Sequence, residues 1–462
     1  MSETVKALQA ALPRKSWTQD EDILAPHLTE WRGRWQGETP ILLLPQSTEE
    51  VRKIVLICAQ NRTPITVQGG NTGLVGGQIP RGEVLLSTAR LCKIRSASAN
   101  NMSLVCEAGT TLKAAQDAAD NVGLKFPLSL ASEGSCTIGG NLSTNAGGVH
   151  VVKYGTARQL VYGVEAVLAN GEIFDGLTTL RKDNTGYDLS QLLMGAEGTL
   201  GIITAASLKL FPKPAETIRV MAAIDSPEAA LELLAAARIG THLAMFELIP
   251  RLGIDYVTQN LLGHRDPFAD KHPWYVLLEW EFSGAGQGQT FAETVLAGAM
   301  EQGLVRDAVI ATSEAQAHSL LALRENLSAS QKPIGATIKH DISVPVADVP
   351  AFIARANKAV LRYIPNCHPL PFGHLGDGNI HYNIGQPAGM DADQFMAFEP
   401  AINDIVYDIT DSLSGSLSAE HGIGILKKQQ LARRAAPAKL MAMREIKRAL
   451  DPHNILNPRV IF

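Results

Sequence analysis

Three glycine-rich stretches lie in the first half of the chain, and the first directly follows a predicted strand. They are "VQGGNTGLVGGQ" (67–78), "SEGSCTIGGNLSTNAGGVHVVKYG" (132–155) and "GAEGTLGIIT" (195–204). Glycine permits positive φ and lets successive backbone N–H groups converge on an anion. One such cluster alone is more typical of a mobile loop. Three clusters, with hydroxyl and amide side chains between the glycines, instead suit a long ligand that carries a diphosphate.

The common nucleotide-binding motifs are missing from these stretches. The sequence has no Walker lysine motif. It also has no GxGxxG after a first strand with an acidic residue about 20 positions later. An ordinary P-loop or Rossmann fold is therefore not expected.

Size and composition narrow the class of protein. A chain of 462 residues exceeds the size of one hydrophobic core, so two or three structural units are expected. The formal charge is −5 without long charged runs, which argues against a nucleic-acid partner and a polybasic membrane anchor.

The five cysteines are scattered and never spaced as CxxC, which favours free thiols in a reducing compartment. The N-terminus lacks a secretory pattern and no apolar run approaches the ~20 residues of a membrane helix, so a cytoplasmic protein without a transmembrane segment is expected.

The order of predicted elements divides the chain into four parts. Residues 1–36 are predicted to form a helical arm, and 37–215 an α+β unit that contains all three glycine-rich stretches. After the prolines of "FPKPAE", residues 216–425 follow a repeated split βαβ order, which is typical of an antiparallel sheet with helices on one face. Within this part, Ser226 and Pro227 mark a helix start. Residues 426–462 are predicted to be a helical tail that ends in "DPHNILNPRVIF".

Several motifs in this order resemble one known superfamily. "GGNTGL", "GSCTIGGNLSTNAGG", "VYGVEAVLANG" and "GAEGTLGIIT" resemble the FAD-binding domain of the vanillyl-alcohol oxidase/p-cresol methylhydroxylase superfamily. Together with "FGHLGDGNIHYNI" (372–384), "SAEHGIG" and "DPHNILNP", nearly the whole chain resembles the FAD-linked D-2-hydroxy-acid dehydrogenases, closest to the D-2-hydroxyglutarate dehydrogenase branch. The resemblance implies an α+β fold: a two-subdomain FAD-binding domain, a ferredoxin-like antiparallel-sheet substrate domain and a C-terminal helical segment.

The resemblance also implies which residues bind FAD. Some relatives tether the flavin through a histidine or cysteine in the first glycine-rich loop, and this loop has neither, so non-covalent FAD is expected. The implied FAD-binding residues are Gly69, Gly70, Asn71, Thr72, Gly73, Leu74, Ser132, Gly134, Ser135, Thr137, Gly139, Gly140, Asn141, Thr144, Asn145, Gly147, Gly148, Glu197, Gly198, Gly201, Ile202 and Asn457.

His374 and His381 flank the turn-like segment "LGDG". Seven residues apart, they would lie on opposite faces of one continuous strand, so they can converge only if the segment turns. Spacing alone is more typical of solvated histidines at a polar turn than of a metal site. The resemblance implies that His374, His381 and Glu420 bind Zn²⁺, with Mn²⁺ or Co²⁺ as alternatives because their ligand types overlap.

Oxidation of an alcohol requires a group that accepts the hydroxyl proton. A histidine that titrates near neutrality suits this role, and His421, which follows Glu420, is the expected base and substrate contact. Its alternative role is a structural histidine that orients a metal ligand.

A third group of residues lies in "RENLSASQKPIGATIKHDISVP". Arg324 and Ser328 are four apart on a predicted helix, hence on one face, and Lys339 begins the next strand. Such residues are usually unremarkable surface. The resemblance implies that they bind the distal carboxylate of a dicarboxylic substrate, and that Asn383 contacts the substrate near its reacting carbon.

The function expected from the resemblance is FAD-dependent, metal-assisted oxidation of D-2-hydroxyglutarate to 2-oxoglutarate. Its electrons are expected to pass to an electron-transfer flavoprotein or a quinone-type acceptor, and relatives imply a homodimer. A D-lactate or broad-specificity D-2-hydroxy-acid dehydrogenase is the nearest alternative. A non-catalytic flavin- or metal-binding sensor is the alternative from another class.

Overall fold

The computed structural model describes residues 1–240 and 242–462. The chain forms two compact units. The first unit is built from three stretches of chain, Met1–Gly147, Gly155–Lys213 and Glu420–Phe462, and the second from Gly148–Tyr154 and Pro214–Ala419. Each unit has its own sheets. The predicted four-part division at residues 36, 215 and 425 stays a prediction.

The first unit contains short helices and two main sheets. Its helices and strands, with the one helix that belongs to the second unit placed in chain order, are α1 (Ser2–Ala11), β1 (Trp17–Thr18), α2 (Glu21–Leu28), β2 (Leu42–Leu43), α3 (Thr48–Gln60), β3 (Ile65–Gln68), β4 (Val84–Ser87), β5 (Ile94–Ser98), β6 (Ser103–Glu107), α4 (Leu112–Asp120), β7 (Leu124–Lys125), α5 (Ile138–Thr144), α6 (Val151–Tyr154, second unit), β8 (Val161–Val167), β9 (Ile173–Asp175), α7 (Leu189–Leu193), β10 (Ile202–Lys209) and β11 (Phe211–Pro212).

The smaller main sheet of the first unit leads directly into the first glycine-rich loop. Its strand order is β1-β2-β4-β3, and β2, β4 and β3 run parallel. Helix α3 connects β2 to β3, and it begins where the Ser47 side chain accepts a hydrogen bond from the Glu50 backbone N–H at 3.2 Å. Val51, Ile54 and Val55 are fully buried on one helix face, so α3 covers the sheet.

The larger sheet of the first unit is antiparallel. Its order is β5-β6-β10-β8-β9, and the central strand β10 is buried along almost its whole length. A short pair, β7 with β11, lies apart from it. Strand β10 follows the third glycine-rich stretch, so the sheet fixes the position at which that loop ends.

The second unit continues the numbering. Its elements are β12 (Glu216–Ile224), α8 (Pro227–Ala237), β13 (Leu243–Pro250), α9 (Arg251–Asn260), β14 (Trp274–Phe282), α10 (Gly288–Glu301), β15 (Asp307–Ile310), α11 (Glu314–Glu325), β16 (Thr337–Ser343), α12 (Val349–Tyr363), β17 (His368–Phe372), β18 (Asn379–Gly385), α13 (Ala392–Met396) and α14 (Glu399–Ser412). The first unit ends with α15 (Lys428–Arg434) and α16 (Pro437–Leu450).

Two antiparallel sheets organise the second unit. The four-stranded sheet has the order β13-β14-β12-β15, and the three-stranded sheet has the order β16-β18-β17. Helix α8 begins as predicted, because Ser226 accepts a hydrogen bond from the Ala229 backbone N–H and Pro227 occupies the first turn. The mixture of helices and antiparallel sheets agrees with the predicted α+β class.

Two predicted helices end earlier than expected. The helix that contains Arg324 ends at Glu325, and the chain turns from Asn326, whose backbone and side chain both donate to the Ala322 carbonyl. Ser328 therefore lies in the following turn and not on the helix face of Arg324. The predicted C-terminal helix is divided into α15 and α16 at Ala435, because Pro437 disfavours helical conformation in the residue before it. Over the described residues, no helix is long and apolar enough to cross a membrane.

Candidate functional site

The first glycine-rich loop packs directly against the start of the second. A Cβ atom at Gly70 would collide with the backbone carbonyl of Ser135, and one at Gly69 would lie 2.5 Å from the Thr137 hydroxyl. Asn71 has φ of 55°, a left-handed conformation that asparagine tolerates better than most residues. These two loops of the first unit can therefore approach this closely only because glycine has no side chain.

The backbone of the first loop offers a run of donors. Among the described residues, none accepts a hydrogen bond from the backbone N–H groups of 70–74. Successive backbone N–H groups in a glycine-rich turn form an anion-binding concavity. The loop therefore fits the diphosphate of FAD without any charged side chain.

The third glycine-rich loop is held by its own glutamate. Glu197 is buried with φ of 51°, and its two carboxylate oxygens accept hydrogen bonds from the backbone N–H groups of Ile423 and Gly424, at 2.7 and 2.8 Å. Burial raises the pKa of Glu197 to about 6, and these hydrogen bonds oppose the rise. The Glu197 carboxylate thus fixes the segment that follows His421. The predicted direct contact between Glu197 and FAD stays a prediction.

Asn457 joins the end of β3 to the same loop. Its side-chain oxygen accepts from the Val67 backbone N–H at 2.9 Å, and its amide donates to the Glu197 carbonyl at 2.7 Å. Both polar atoms of the Asn457 side chain therefore bind backbone groups, one at β3 and one in the third glycine-rich loop. A direct contact between Asn457 and FAD stays a prediction.

The other predicted FAD-binding residues occupy loops and element ends. Thr137 caps α5 by accepting from the Gly140 backbone N–H at 3.3 Å, and a Cβ at Gly139 would meet Ala108 at 2.6 Å. Thr72, Gly73 and Leu74 lie in the loop that follows β3. The remaining positions lie in the loops around α5 and before β10 or within those elements: Ser132, Gly134, Asn141, Thr144, Asn145, Gly147, Gly148, Gly198, Gly201 and Ile202.

In the second unit, a turn brings His374 and His381 together. Residues 375–378 form the turn between β17 and β18, and the centroids of the two imidazole rings lie 5.4 Å apart. Gly373 has φ of 147°, and a Cβ there would meet the Asn379 carbonyl at 2.7 Å. The convergence that spacing alone left open is therefore present, and two neighbouring imidazoles fit a Zn²⁺ site.

A fully buried glutamate links His374 to Arg324. Glu247 lies on β13, with Oε1 2.5 Å from His374 Nδ1 and Oε2 2.6 Å from Arg324 Nε. Burial alone would raise the pKa of Glu247, but the charges and hydrogen bonds of His374 and Arg324 outweigh it and lower the pKa to about 2. Sequence reasoning missed Glu247, although a single acidic residue in the buried strand "LAMFELIP" was a signal.

The β16–β18 ladder places four polar side chains on one face. Lys339 lies opposite Asn383, and Asp341 lies opposite His381, so all four residues point to the same side of the sheet. The Asn383 amide donates to Gln331 Oε1 at 3.1 Å, which fixes its orientation. Asp341 and Gln331 were not predicted, and both are buried polar residues.

The Arg324 guanidinium lies beside this face. Its carbon atom is 5.1 Å from the centre of the Phe372 ring, and that ring is 5.3 Å from His381. Glu247 engages only Nε, and no other residue in 1–240 or 242–462 bonds to the terminal nitrogens. These two nitrogens are therefore available to a ligand carboxylate. Ser328 lies in the turn after α11, and its predicted role in binding the distal carboxylate stays a prediction.

Glu420 and His421 belong to the first unit. Glu420 Oε1 lies 3.6 Å from His421 Nε2, and both side chains are partly exposed. This places a carboxylate and an imidazole side by side, in the segment held by Glu197. Their predicted roles as metal ligand and base stay predictions.

Comparison with known families and proteins shows which family the chain resembles. Residues 39–176 match a family model described as "FAD binding domain", and 213–461 match "FAD linked oxidases, C-terminal domain". The chain is 37% identical to the mitochondrial D-2-hydroxyglutarate dehydrogenase of Arabidopsis thaliana, covering 99% of this chain and 81% of that protein. It is 35% identical to the D-2-hydroxyglutarate dehydrogenase of Xanthomonas citri pv. viticola, covering 99% and 96%.

Solved structures support the fold. p-Cresol methylhydroxylase with bound substrate aligns with a TM-score of 0.79 at 18% identity, covering 99% of this chain and 96% of that one. An alkyldihydroxyacetonephosphate synthase aligns with a TM-score of 0.74 at 18% identity, covering 99% and 85%. These likenesses confirm the predicted fold class, and the sequence matches confirm the family resemblance. The chain is therefore a flavin-dependent oxidoreductase that belongs to the FAD-linked oxidase family, the family that includes the D-2-hydroxyglutarate dehydrogenases.

Proposed function

We propose that this enzyme oxidises D-2-hydroxyglutarate to 2-oxoglutarate, with non-covalent FAD and with assistance from a divalent metal ion. The observation that carries the proposal lies within the second unit. There, Glu247 contacts both a predicted metal ligand, His374, and an arginine whose terminal nitrogens are available to a carboxylate. A hydroxy acid with a second carboxylate matches this combination of groups, and relatives with this substrate in their names are 35–38% identical over the chain.

We assign the binding of the substrate's distal carboxylate to two cationic side chains and one hydroxyl group. Arg324 presents a planar pair of N–H donors, which matches a carboxylate in a bidentate manner. Lys339 and Ser328 complete the assignment, because a buried anion needs compensating charge and hydrogen bonds. Asn383, fixed by Gln331 and directly opposite Lys339, is assigned to the substrate near its reacting carbon.

The reacting end of the substrate is assigned to His374, His381, Glu420 and His421. The first three would hold the metal ion, which is taken as zinc, and manganese and cobalt remain alternatives with similar ligands. A metal ion held there would supply stabilisation of the developing alkoxide, and FAD held by the glycine-rich loops would supply the acceptor for the hydride from C2. His421 takes the proton that leaves the C2 hydroxyl oxygen, because an imidazole titrates near neutrality.

The electrons are proposed to leave the enzyme to an electron-transfer flavoprotein or a quinone-type acceptor. A homodimer is the proposed assembly. Both assignments rest on the family resemblance alone.

A substrate panel tests the proposal. Purified yellow protein mixed anaerobically with D-2-hydroxyglutarate should lose its flavin absorbance, and kcat/KM should exceed that for D-lactate. Lys339→Met should lower kcat/KM for D-2-hydroxyglutarate by about 100-fold and spare D-lactate, because one charge-assisted contact to the distal carboxylate is lost. Equal losses for both substrates would contradict the distal-carboxylate assignment.

Chelation tests the metal assignment separately. Dialysis against a chelator should abolish turnover, and zinc should restore it. Full activity in protein shown by elemental analysis to contain no divalent transition metal would contradict the assignment. A yellow protein that no D-2-hydroxy acid bleaches would instead support a binding role.

A further inference from the structure

Glu247 lies where the core face of the four-stranded sheet becomes polar. Its strand neighbours Met245 and Ile249 point to the same side and pack in the apolar cluster of the second unit. The Glu247 side chain has no exposed surface. A carboxylate in such a place is costly unless each oxygen is hydrogen-bonded, so its partners are fixed in position.

Each Glu247 oxygen has its own partner. Oε1 lies 2.5 Å from His374 Nδ1, and Oε2 lies 2.6 Å from Arg324 Nε. A carboxylate only accepts, so His374 must present an N–H at Nδ1, which assigns Nε2 to the metal ion. The contact to Nε likewise orients the guanidinium plane and leaves its terminal nitrogens for the substrate.

We propose that Glu247 is a positioning residue that sets the distance between the metal ligand His374 and the substrate anchor Arg324. This inference rests on the proposed function and extends it. The Glu247 carboxylate holds both His374 and Arg324. The distance between the hydroxyl and the distal carboxylate of a substrate must therefore match the separation of these two residues. Glu247 itself contacts neither substrate nor metal.

Glu247→Gln separates this role from simple support of the fold. The amide has nearly the same shape but only one acceptor, so it can satisfy His374 or Arg324 but not both. If its NH₂ group faces His374, the imidazole changes tautomer and Nε2 carries a proton. If its NH₂ group faces Arg324, two donors oppose each other and the guanidinium moves.

Glu279 provides a matched control on the adjacent strand β14. It is buried, it lies 3.3 Å from His150 Nε2, and it pairs with Arg219, so it repeats the arrangement of histidine, carboxylate and arginine. None of these three residues is assigned to the substrate or the flavin, but His150 and Glu279 form, with Glu281, a group that could hold a metal ion. Glu279→Gln should therefore cost stability in the same way without changing the substrate site, and it serves as a control for substrate preference.

The experiment compares wild type, Glu247→Gln and Glu279→Gln as FAD-loaded full-length proteins. Zinc affinity is measured by competition with a chromophoric chelator, and kcat/KM is measured for D-2-hydroxyglutarate and D-lactate at saturating zinc. In Glu247→Gln we expect zinc affinity to fall by about 10- to 100-fold. We also expect the preference for D-2-hydroxyglutarate over D-lactate to fall by about 10-fold, because Arg324 is displaced. Glu279→Gln should keep the wild-type substrate preference.

A second variant covers the case in which Glu247→Gln does not fold. Glu247→Asp keeps both acceptors on a shorter side chain, so it should show the same two losses to a smaller degree. If the folded Glu247 variants match wild type in zinc affinity and match Glu279→Gln in substrate preference, the positioning role is wrong. If the wild type itself binds no zinc or does not oxidise D-2-hydroxyglutarate, the proposed function is wrong, and the positioning role of Glu247 is wrong with it.

Discussion

Asp341 faces His381 directly across the β16–β18 ladder, with 3.9 Å between Oδ1 and Nδ1. The same carboxylate accepts a hydrogen bond from the Asn379 amide at 3.0 Å and from the Ala419 backbone N–H at 3.2 Å. Ala419 immediately precedes Glu420 in the chain. Asp341 therefore contributes to the position of one predicted metal ligand and to the backbone next to another.

Asp341→Asn should weaken metal binding without removing any ligand. The amide replaces one acceptor by a donor, so either Asn379 or Ala419 loses its partner and His381 loses the neighbouring charge. We expect zinc affinity to fall about 10-fold or more, as measured by chelator competition. Asp307→Asn, at an exposed acidic residue of β15, removes the same charge and should leave the affinity unchanged. An unchanged affinity in Asp341→Asn would contradict the prediction.

Glu197 should make stability depend on pH in the neutral range. Its folded-state pKa of about 6 lies above the ordinary value of 4.5, so the folded protein holds the proton more tightly. The stabilising contribution is therefore complete below pH 4.5 and is lost as pH rises through 6. The shift corresponds to about 2 kcal/mol, of which more than half is lost between about pH 5 and pH 7.

Glu197→Gln removes this titration. Urea unfolding at several pH values should show that the wild type loses stability relative to the variant as pH rises. Glu172→Gln, at an exposed glutamate of the same unit, should give a difference from wild type that does not change with pH. A pH-independent difference for Glu197→Gln as well would refute the assignment.

Lys447 should be a major source of stability in the first unit. Its ammonium group donates to the Thr199 carbonyl at 2.8 Å, to the Leu456 carbonyl at 2.9 Å and to Asp451 at 2.5 Å. Lys447→Met leaves a buried carboxylate without its cation, so we expect a loss of about 3–5 kcal/mol in the free energy of unfolding. Chemical denaturation measures this loss. The adjacent exposed pair offers a control, because Arg448→Met should cost under about 1 kcal/mol.

Gly70→Ala should lower FAD occupancy. The added methyl group would collide with the Ser135 carbonyl, so the two glycine-rich loops must separate. The ratio of flavin to protein absorbance after gel filtration measures the effect, and we expect FAD affinity to fall at least about 10-fold, or about 1.4 kcal/mol. Gly298→Ala, inside α10 with no atom within 4 Å of the new methyl group, should retain full occupancy. Equal flavin content in both variants would argue against a cradle at Gly70.

Local signals in the sequence predicted much of this fold. Ser226 caps the helix that it was expected to cap, because a cap needs only the next three residues. The turn between His374 and His381 was likewise expected, because glycines lie at the positions where the chain must bend. The end of α11 was missed, because residues 326–331 contain no glycine or proline to signal a stop, yet they form a turn.

Long-range partners could not be predicted. Glu247 is separated by 77 residues from Arg324 and by 127 residues from His374. Its contacts depend on the position of β13 within its sheet and on the path of a turn in another sheet. A buried acidic residue in an apolar strand signals only that a partner exists, and it does not say which one. Asp341 was missed for the same reason, because strand register alone places it opposite His381.

The contacts between Asn457 and the backbone of β3 have a consequence for the order in which the chain folds. The first unit begins at the N-terminus, but β3 receives its backbone partners Ile455 and Asn457 only from the last few residues. During synthesis, the flavin-binding half must therefore wait for residues 455–457, whereas nearly all of the second unit is a continuous stretch that ends at residue 419. The second unit can fold before the last residues of the first unit are available, so assembly of the flavin cradle becomes the final step.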